Sequence, residues 1–356
     1  MKKNKPKILV YNAADASKKT YHYLESLGCE VCILEASLSD ERYYETFKVQ
    51  AKGASAIIGN TFKHGRLSVD FFENTPNLRV ITKYTIGTDE IDLALANQRG
   101  IIITNSPVEA SWGGVAENVI AMMLSMLKKT VPRHLAVLNG DWRDQKLIGS
   151  YLGSRSDGFS GITLGIIGLG RVGSRLARLL SSWNFFIIAC DPYVNSQQFI
   201  DLGVEEVSLT DLLKRSDVVS LNCSLTEETF NLINSDTIKQ LKQGAVLINT
   251  ARGQLIDEDA LCQSIRSGLI SQFAADVFCE EPLPPNSLLR GFDSAQVLLS
   301  PHMSAANYPG TLSAAIPVAT DAVIDALRGR LPQNIINLEA SQLWLKRFEG
   351  IDLICD

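Results

Sequence analysis

Apolar runs recur along this chain, and most of them are followed by a segment with helical spacing. Residues 5–13 contain a continuous apolar run that predicts a buried strand, residues 17–28 predict a helix ended by Gly28, and residues 29–36 predict the next strand. Three more strands are expected farther along, at residues 54–60, 78–84 and 100–106. This first part of the chain therefore predicts an α/β domain of roughly 100 residues.

The alternation of strand and helix patterns starts again in the middle of the chain. Before it, residues 113–131 predict an apolar helix with Glu117 in the first turn and Lys128 and Lys129 in the last, where the helix dipole favours these charges. Six strands are then expected, at residues 162–167, 185–190, 217–222, 245–249, 272–277 and 296–300. This order predicts a doubly wound parallel sheet. A helix expected at residues 310–329 and the tail after it should return to the first domain.

Length and composition indicate two folded domains and exclude some partners. The chain has 356 residues, of which 46% are hydrophobic and 21% charged. Its net charge is −5 and its Lys and Arg residues are scattered, so no nucleic-acid partner is expected. The apolar run after the basic opening, Ile8 to Tyr11, is too short for a signal peptide, and no later run is long enough for a membrane span. We therefore expect a cytoplasmic protein with no membrane partner.

The cysteines predict reduced core residues rather than a redox or metal centre. There are seven, an odd number at irregular spacing. Cys29 and Cys32 form a CxxC pair, but the pair lies in a strand pattern, whereas a zinc or redox pair is expected in a turn or at a helix start. No metal site is predicted.

The stretch GITLGIIGLGRVG, residues 161–173, carries the first chemical signal. A β-branched run stands directly before Gly168, Gly170 and Gly173, and a helical pattern follows. In a dinucleotide-binding turn the first glycine permits the tight turn, the second lets the backbone approach a pyrophosphate, and the third lets helix and strand pack closely. Glycines are also common in such turns for steric reasons alone, so the motif needs support from its context.

Asp191 supplies that context. It ends the second strand of this domain, 23 residues after Gly168 (191 minus 168), close to the spacing of about 20 expected for the carboxylate that binds a ribose hydroxyl. An acid at this position would repel a 2′-phosphate, and no arginine follows at once. The sequence therefore predicts NAD, in preference to NADP, as the cofactor.

Three chemically capable side chains follow three later strands of the same predicted sheet. Arg252, Glu281 and His302 each come just after a strand, and ligands of open parallel sheets bind beyond the carboxyl ends of the strands. Each residue alone has a structural alternative, as a surface cation, a solvated loop acid or a buried histidine. Together their types favour one site.

These types suit the reduction of a 2-oxo acid, or the reverse reaction. Hydride addition to a ketone leaves an oxyanion that needs a proton, and His302 can supply one near neutral pH. Glu281, bonded to the other ring nitrogen, would orient the imidazole and favour its protonated form. The guanidinium fork of Arg252 can bind a carboxylate and a carbonyl and polarise the carbon for attack.

With these residues in place, the sequence resembles the D-isomer-specific 2-hydroxyacid dehydrogenases over roughly residues 50–335. The pieces that carry the resemblance are YTIGTDEIDLALANQRGIIITNSP, GVAENVIAMML, GLGRVG with CDPY, LINTARGQLIDEDAL, AADVFCEEPLP and SPHMSAAN. The last four motifs are specific in combination.

The resemblance implies a fold and a domain plan. The expected fold is α/β, with two Rossmann-like or flavodoxin-like domains built on doubly wound parallel sheets. Residues 1–108 and 304–356 would form a split substrate-binding domain, residues 109–303 an inserted NAD-binding domain, and the active site would lie in the cleft. The resemblance also implies a homodimer formed through the NAD-binding domain.

The resemblance also implies roles for particular residues. Arg252 would bind the substrate, with Glu281 and His302 as the catalytic acid pair. Backbone N–H groups around Thr85, Ile86 and Gly87 would receive the substrate carboxylate. The cofactor-binding residues would be Gly168, Gly170, Arg171, Val172, Gly173, Asp191, Thr250 and Asp276, with Asp276 holding the nicotinamide carboxamide.

Several positions depart from the family pattern and bear on the choice of substrate. They are Thr85, where a glycine is common in the carboxylate loop, Ser111, where some relatives have asparagine, Ser224, where proline is usual, and Ser304, where a small glycine or alanine lies near the nicotinamide. Lys83 stands where relatives with phosphorylated or doubly charged substrates carry a cation, so it is a candidate substrate ligand. A surface lysine at a strand end is an alternative with at least as much support.

Two other functions remain open at this level. Transcriptional corepressors that bind NAD share this fold and can keep all three catalytic positions. Phosphite or formate dehydrogenases are the other alternative, but formate dehydrogenases of this superfamily carry glutamine where this chain has Glu281. The glutamate therefore favours a hydroxy acid, without fixing which one.

Overall fold

The computed structural model describes residues 5–34, 40–60, 66–307 and 311–354. The chain divides into two compact units, one formed by Met1–Ser111 and Ala306–Asp356 and the other by Trp112–Ala305. The boundaries expected from the sequence, after residues 108 and 303, differ from these by a few residues. Each unit has its own sheet and its own core.

All twelve strands of the two sheets run parallel to their neighbours. In chain order they are β1 (Lys7–Tyr11), β2 (Glu30–Ile33), β3 (Ala54–Gly59), β4 (Val80–Lys83), β5 (Ile102–Thr104), β6 (Thr163–Ile167), β7 (Phe186–Cys190), β8 (Glu205–Glu206), β9 (Val218–Leu221), β10 (Ala245–Asn249), β11 (Ile270–Ala275) and β12 (Val297–Leu299). The first five belong to the first unit and the other seven to the second.

Helices connect these strands. They are α1 (Lys19–Ser26), α2 (Asp40–Ala51), α3 (Val69–Glu73), α4 (Leu93–Arg99), α5 (Glu109–Lys128), α6 (Thr130–Leu138), α7 (Arg171–Leu180), α8 (Ser196–Leu202), α9 (Leu209–Arg215), α10 (Ser235–Ile238), α11 (Glu258–Ser267), α12 (Thr311–Leu327) and α13 (Ser341–Phe348). None of the helices in the described part of the chain combines the length and the hydropathy needed to cross a membrane.

The first unit is built on a sheet of order β2-β1-β3-β4-β5. This is the strand order of flavodoxin-like sheets. Its strands are apolar almost throughout because helices cover both faces, with one core on each side of the sheet. The helix α12, from the C-terminal part of the chain, packs on β3 and β4.

A buried arginine fixes the C-terminal segment in this unit. Arg79, 3% exposed, donates to the carbonyl oxygens of Ala326, Leu327 and Ile351 at 3.0, 3.1 and 2.7 Å. The first two carbonyls lie at the end of α12, where a cation also complements the helix dipole. The indole of Trp344, on α13, donates in turn to the Arg79 carbonyl at 2.9 Å.

The second unit has a sheet of order β12-β11-β10-β9-β6-β7-β8. Counted from β6, this is the 3-2-1-4-5-6 order of a dinucleotide-binding sheet with a seventh strand added at one edge. Apolar cores again fill both faces. The α/β fold class with two doubly wound parallel sheets is confirmed.

Some element predictions were wrong in detail. The sequence predicts six strands in the second sheet, but β8 makes seven. Helix α5 begins at Glu109 rather than at residue 113, so Glu109 and not Glu117 lies in its first turn. The sequence predicts no helix in the tail after residue 329, but α13 forms there. Cys32 lies in β2 and Cys29 just before it, and no cluster of metal-ligating side chains occurs among the described residues.

Candidate active site

The glycine turn between β6 and α7 has the geometry that its sequence predicts. Gly168 has φ +92°, a conformation that side chains rarely adopt, and an added Cβ there would lie 2.6 Å from the nitrogen of Cys223. A Cβ at Gly173 would lie 2.1 Å from the carbonyl oxygen of Gly168. The fold of the chain itself therefore requires both of these glycines.

Gly170 differs, because no contact within the described residues requires a glycine at this position. A Cβ added there would meet none of their atoms within 4 Å, and the residue is exposed. Open space above a backbone at a helix N-terminus is what an approaching pyrophosphate needs. Arg171 and Val172 open α7, where backbone N–H groups have no partner within the helix. The turn therefore fits a dinucleotide.

Asp191 lies beside this turn. One carboxylate oxygen accepts from the N–H of Leu169 at 2.7 Å, and the other accepts from the N–H of Tyr193 at 2.9 Å. The first bond ties the end of β7 to the glycine turn and leaves further lone pairs for a ribose hydroxyl. Thr250, just after β10, has a buried hydroxyl with no hydrogen-bond partner among the described residues, so its bonding capacity is also unused.

The imidazole of His302 is bound to the carboxylate of Glu281. Its Nδ1 lies 2.6 Å from Oε2, while Oε1 of Glu281 accepts from the backbone N–H of Phe278 at 2.9 Å. The carboxylate is thus held at both oxygens, and it fixes the ring with Nδ1 as a donor. Nε2 is then the ring nitrogen that can face a substrate.

Charge around His302 favours its protonated form. The hydrogen bond to Glu281 raises the pKa of the imidazole above its usual value, although burial and the guanidinium of Arg252 act in the opposite direction. The side chain is 50% exposed, so protons and ligands reach it. An imidazolium with one free N–H can serve as a general acid.

Arg252 is carried by a turn that Asn249 holds. The Asn249 side chain accepts from the N–H of Ala251 at 3.0 Å and donates to the Arg252 carbonyl at 2.8 Å. The guanidinium contacts the Ala251 carbonyl at 2.6 Å and lies close enough to His302 to lower its pKa. Arg252, Glu281 and His302, distant in sequence, are therefore neighbours in the second unit.

The turn of Arg252 packs directly on the segment that holds Glu281. A Cβ at Gly253 would lie 1.9 Å from the carbonyl carbon of Phe278, so only glycine allows this approach. Phe278 is also the residue whose N–H binds Glu281. One close backbone contact thus sets the spacing between the arginine and the acid.

Asp276 has partners that the sequence did not suggest. Its two carboxylate oxygens accept from the N–H groups of Met303 and Ser304 at 2.9 and 2.8 Å, and the residue is 1% exposed. These are the two residues after His302, which has the left-handed value φ +53°. Asp276 therefore anchors the loop that carries the imidazole. The sequence shows no spacing that would reveal this bond.

Ser304, one of the departures from the family pattern, is tied to α5. Its hydroxyl accepts from the side-chain amide of Asn118 at 2.6 Å. Ser111 is buried, 5% exposed, and Ser224 is exposed with its carbonyl bound by the hydroxyl of Thr229 at 2.7 Å. Asn118 was not expected at the site, because an amide in an apolar helix carries no signal of its partner.

In the first unit, Thr85, Ile86 and Gly87 follow β4 as an irregular loop. Asn105 donates to the Ile86 carbonyl at 2.9 Å, and the N–H of Ser106 donates to the Thr85 carbonyl at 3.4 Å. These bonds hold two consecutive carbonyl oxygens against the residues that follow β5.

Lys83, at the end of β4, is fully buried and forms an ion pair with Glu90. The alternative of a surface lysine is therefore wrong. Burial lowers the pKa of the ammonium group, and the nearby Asp89 carboxylate opposes that shift. The sequence made Lys83 a candidate ligand for a doubly charged substrate, but the ammonium group of Lys83 contacts the carboxylate of Glu90 instead. Glu90 was missed because it lies in the irregular loop after β4, where no helix or strand pattern fixes which side chain meets Lys83.

Comparisons with known proteins agree on one family. A sequence model of the family described as D-isomer specific 2-hydroxyacid dehydrogenase, NAD binding domain, matches residues 120–304. The chain is 34% identical over 292 residues to a glyoxylate reductase of Thermofilum pendens, covering 81% of this chain and 83% of that protein. It is 30% identical over 332 residues to a D-3-phosphoglycerate dehydrogenase of Archaeoglobus fulgidus, covering 93% of this chain but 59% of that protein. The solved structure of a glyoxylate reductase from Paecilomyes thermophila is similar with a TM-score of 0.80 at 25% identity, covering 94% of this chain and 98% of that one.

Proposed function

This chain belongs to the D-isomer specific 2-hydroxyacid dehydrogenase family and is an NAD-dependent enzyme, and from that premise we propose that it interconverts a small, singly charged 2-oxo acid and the D-2-hydroxy acid. The observation that carries the proposal is the bond of 2.6 Å between His302 and Glu281, with Arg252 beside them. Acid, orienting carboxylate and guanidinium fork are the groups that carbonyl reduction needs.

The glycine turn and Asp191 would hold the NADH, which when bound would supply the hydride that reduces the carbonyl carbon. The guanidinium of Arg252 binds the carboxylate and carbonyl oxygens of the substrate and draws electron density from the substrate's carbonyl carbon. Nε2 of His302 donates a proton to the oxygen as negative charge develops there, and Glu281 stabilises the imidazolium before the transfer. In the reverse direction, neutral His302 removes the hydroxyl proton.

The cofactor contacts belong to the second unit. We assign the pyrophosphate to Gly170 and the first residues of α7, Arg171 and Val172, and the ribose to Asp191. Thr250 has an unused hydroxyl at the end of β10. The assignment of the nicotinamide carboxamide to Asp276 is retained, although its carboxylate also anchors the loop after His302.

Substrate recognition is proposed for the loop after β4 in the first unit. The carboxylate would bind backbone N–H groups at Thr85, Ile86 and Gly87. Lys83 precedes this loop, but its charge is paired with Glu90 inside the protein. A second anionic group on the substrate would find no free charge on that lysine. This supports a substrate with one carboxylate, as in the glyoxylate reductases, over a phosphorylated one.

A substrate panel tests the proposal. Purified protein with NADH is mixed with glyoxylate, hydroxypyruvate, pyruvate or 3-phosphohydroxypyruvate, and NADH absorbance is followed. We expect turnover with one or more of the first three. The kcat/KM for the phosphorylated acid should be at least about tenfold lower, because its phosphate would lack a charged partner, and a hydrogen bond to a charged group contributes about 1.5 kcal/mol or more to binding. Absence of turnover with every 2-oxo acid would favour an NAD-sensing protein.

The proposal includes a homodimer. Helix α6 buries no residue within the second unit, and between residues 135 and 151 the chain exposes six large apolar side chains, Leu135, Val137, Leu138, Trp142, Ile148 and Tyr151. Exposed apolar side chains suit a partner surface, and the family resemblance favours a second copy of the chain. Light scattering of the wild type and of Leu138→Glu should give a dimer and a monomer, respectively. A monomeric wild type would contradict the assembly. A cytoplasmic location stays a prediction.

A further inference from the structure

Arg171, at the first position of α7, stands in an electrostatically unusual place. The N-terminus of a helix carries partial positive charge, and anions rather than cations are favoured there. Within the described residues, the guanidinium of Arg171 makes no hydrogen bond and no ion pair, and the residue is exposed. An unpaired cation at this end of a helix adds to the positive field that an anion would meet.

The contact described for this guanidinium is an aromatic ring. Its central carbon lies 5.2 Å from the ring centroid of Trp112, a half-buried residue in the first part of α5. This distance is within the range of a cation–π interaction. The indole is attached to a long helix, so it offers the flexible arginine a fixed surface to lie on.

Open space adjoins Arg171 at Gly170, the residue that precedes it. A Cβ added to Gly170 would meet no atom of the described residues within 4 Å, and the residue is exposed. The guanidinium is therefore attached next to the glycine assigned to the pyrophosphate.

We propose that Trp112 is a positioning residue for the cofactor, because its indole holds the guanidinium of Arg171 where it contacts the NAD pyrophosphate. This inference rests on the proposed cofactor site. A free arginine side chain loses rotamer freedom when it binds a phosphate, and stacking removes part of that freedom beforehand. Trp112 itself touches no reacting atom and acts through Arg171.

Equilibrium binding of NADH by titration calorimetry tests this with a double-mutant cycle. Trp112→Ala should raise the Kd for NADH about fivefold, since an exposed cation–π contact has that size, and Arg171→Gln should raise it by about tenfold or more. In the Arg171→Gln background, Trp112→Ala should change Kd by less than about twofold, because the residue through which it acts is gone. Trp112→Phe should restore most of the affinity.

Two controls separate positioning from general damage. Trp183→Phe replaces a tryptophan of the second unit that packs on Phe185, and it should leave the Kd unchanged. Adenosine, which has no phosphate, should bind wild type and Trp112→Ala equally, whereas ADP-ribose should follow NADH.

The outcomes distinguish this inference from the function on which it rests. Equal weakening by Trp112→Ala with and without Arg171 would mean that the indole acts by packing, and would overturn the positioning role. Unchanged affinity in Trp112→Ala would do the same. A wild-type protein that binds no NADH would overturn the cofactor site and this inference together.

Discussion

Two acid–base pairs lie near the carboxyl ends of strands, one in each unit, and they differ in exposure. The side chains of Lys83 and Glu90 in the first unit are 0% and 7% exposed. Those of His302 and Glu281 in the second are 50% and 35% exposed. Both pairs join a basic nitrogen to a carboxylate near the carboxyl end of a parallel sheet, so residue type and topology alone do not distinguish them.

The difference in exposure separates a structural pair from a reactive one. In the buried pair each charge is compensated by the other, and removing one partner would leave an uncompensated charge in a low dielectric. In the exposed pair, the carboxylate uses one ring nitrogen of the imidazole and leaves the other for a ligand. We infer that the first pair fixes the loop Tyr84–Asp89, while the second moves a proton.

The largest effect is expected at the exposed pair. His302→Ala should lower kcat for 2-oxo acid reduction by about 10³-fold, because it removes the general acid. Its Kd for NADH should stay within about twofold of wild type, since the variant keeps the glycine turn. The matched control, His134→Ala, replaces an exposed histidine on α6 and should keep the wild-type rate. Steady-state kinetics and NADH binding are measured for the wild type, His302→Ala and His134→Ala. A fully active His302→Ala would contradict the assignment of His302 as the general acid.

Substitutions in the buried pair of Lys83 and Glu90 should change the free energy of unfolding. Lys83→Met should lower the free energy of unfolding by about 3 kcal/mol, because Glu90 is left buried and unpaired. The double variant Lys83→Met, Glu90→Met should lose clearly less, since no isolated charge remains. Urea unfolding of both variants measures the difference. If the single variant were as stable as wild type, the pair would not hold the loop.

Arg252 should show its effect in both substrate affinity and rate. Arg252→Ala should reduce kcat/KM for the 2-oxo acid by about 100-fold, because two charge-assisted bonds to the substrate are lost. Arg252→Lys keeps the positive charge but not the guanidinium fork, so its kcat/KM should lie between those of the wild type and Arg252→Ala. Arg178→Ala, an exposed arginine near the end of α7, serves as the control. Unchanged kinetics in Arg252→Ala would remove its substrate role.

The sheets were predictable because both faces of each are buried. Continuous apolar runs mark the five strands of the first unit and six of the seven in the second. The seventh, β8, consists of Glu205 and Glu206, both exposed, and such a pair has no apolar signal. Helix α13 was missed for a related reason. Trp344, which is 0% exposed, is the one fully buried residue of this helix, so the apolar face of the helix is too narrow to give a clear sequence pattern.

Site residues were predictable where a strand end limits their position. Topology alone brings Gly168, Asp191, Arg252 and His302 to one edge of a parallel sheet. Contacts that depend on loop conformation were not predictable. Each of the bonds of Asp276 to Ser304, of Asn118 to Ser304 and of Lys83 to Glu90 has at least one partner in an irregular loop, whose path no sequence period defines.

The pH dependence of Glu281→Gln tests the central claim most directly. Reduction requires protonated His302, so kcat/KM should fall as pH rises through the pKa of its imidazole. Glu281 raises that pKa, hence its replacement should move the fall to lower pH and reduce the rate at neutral pH about tenfold. This shift in the variant, with unchanged Kd for NADH, is the predicted result. A profile that coincides with the wild type would contradict the role of the pair in proton transfer.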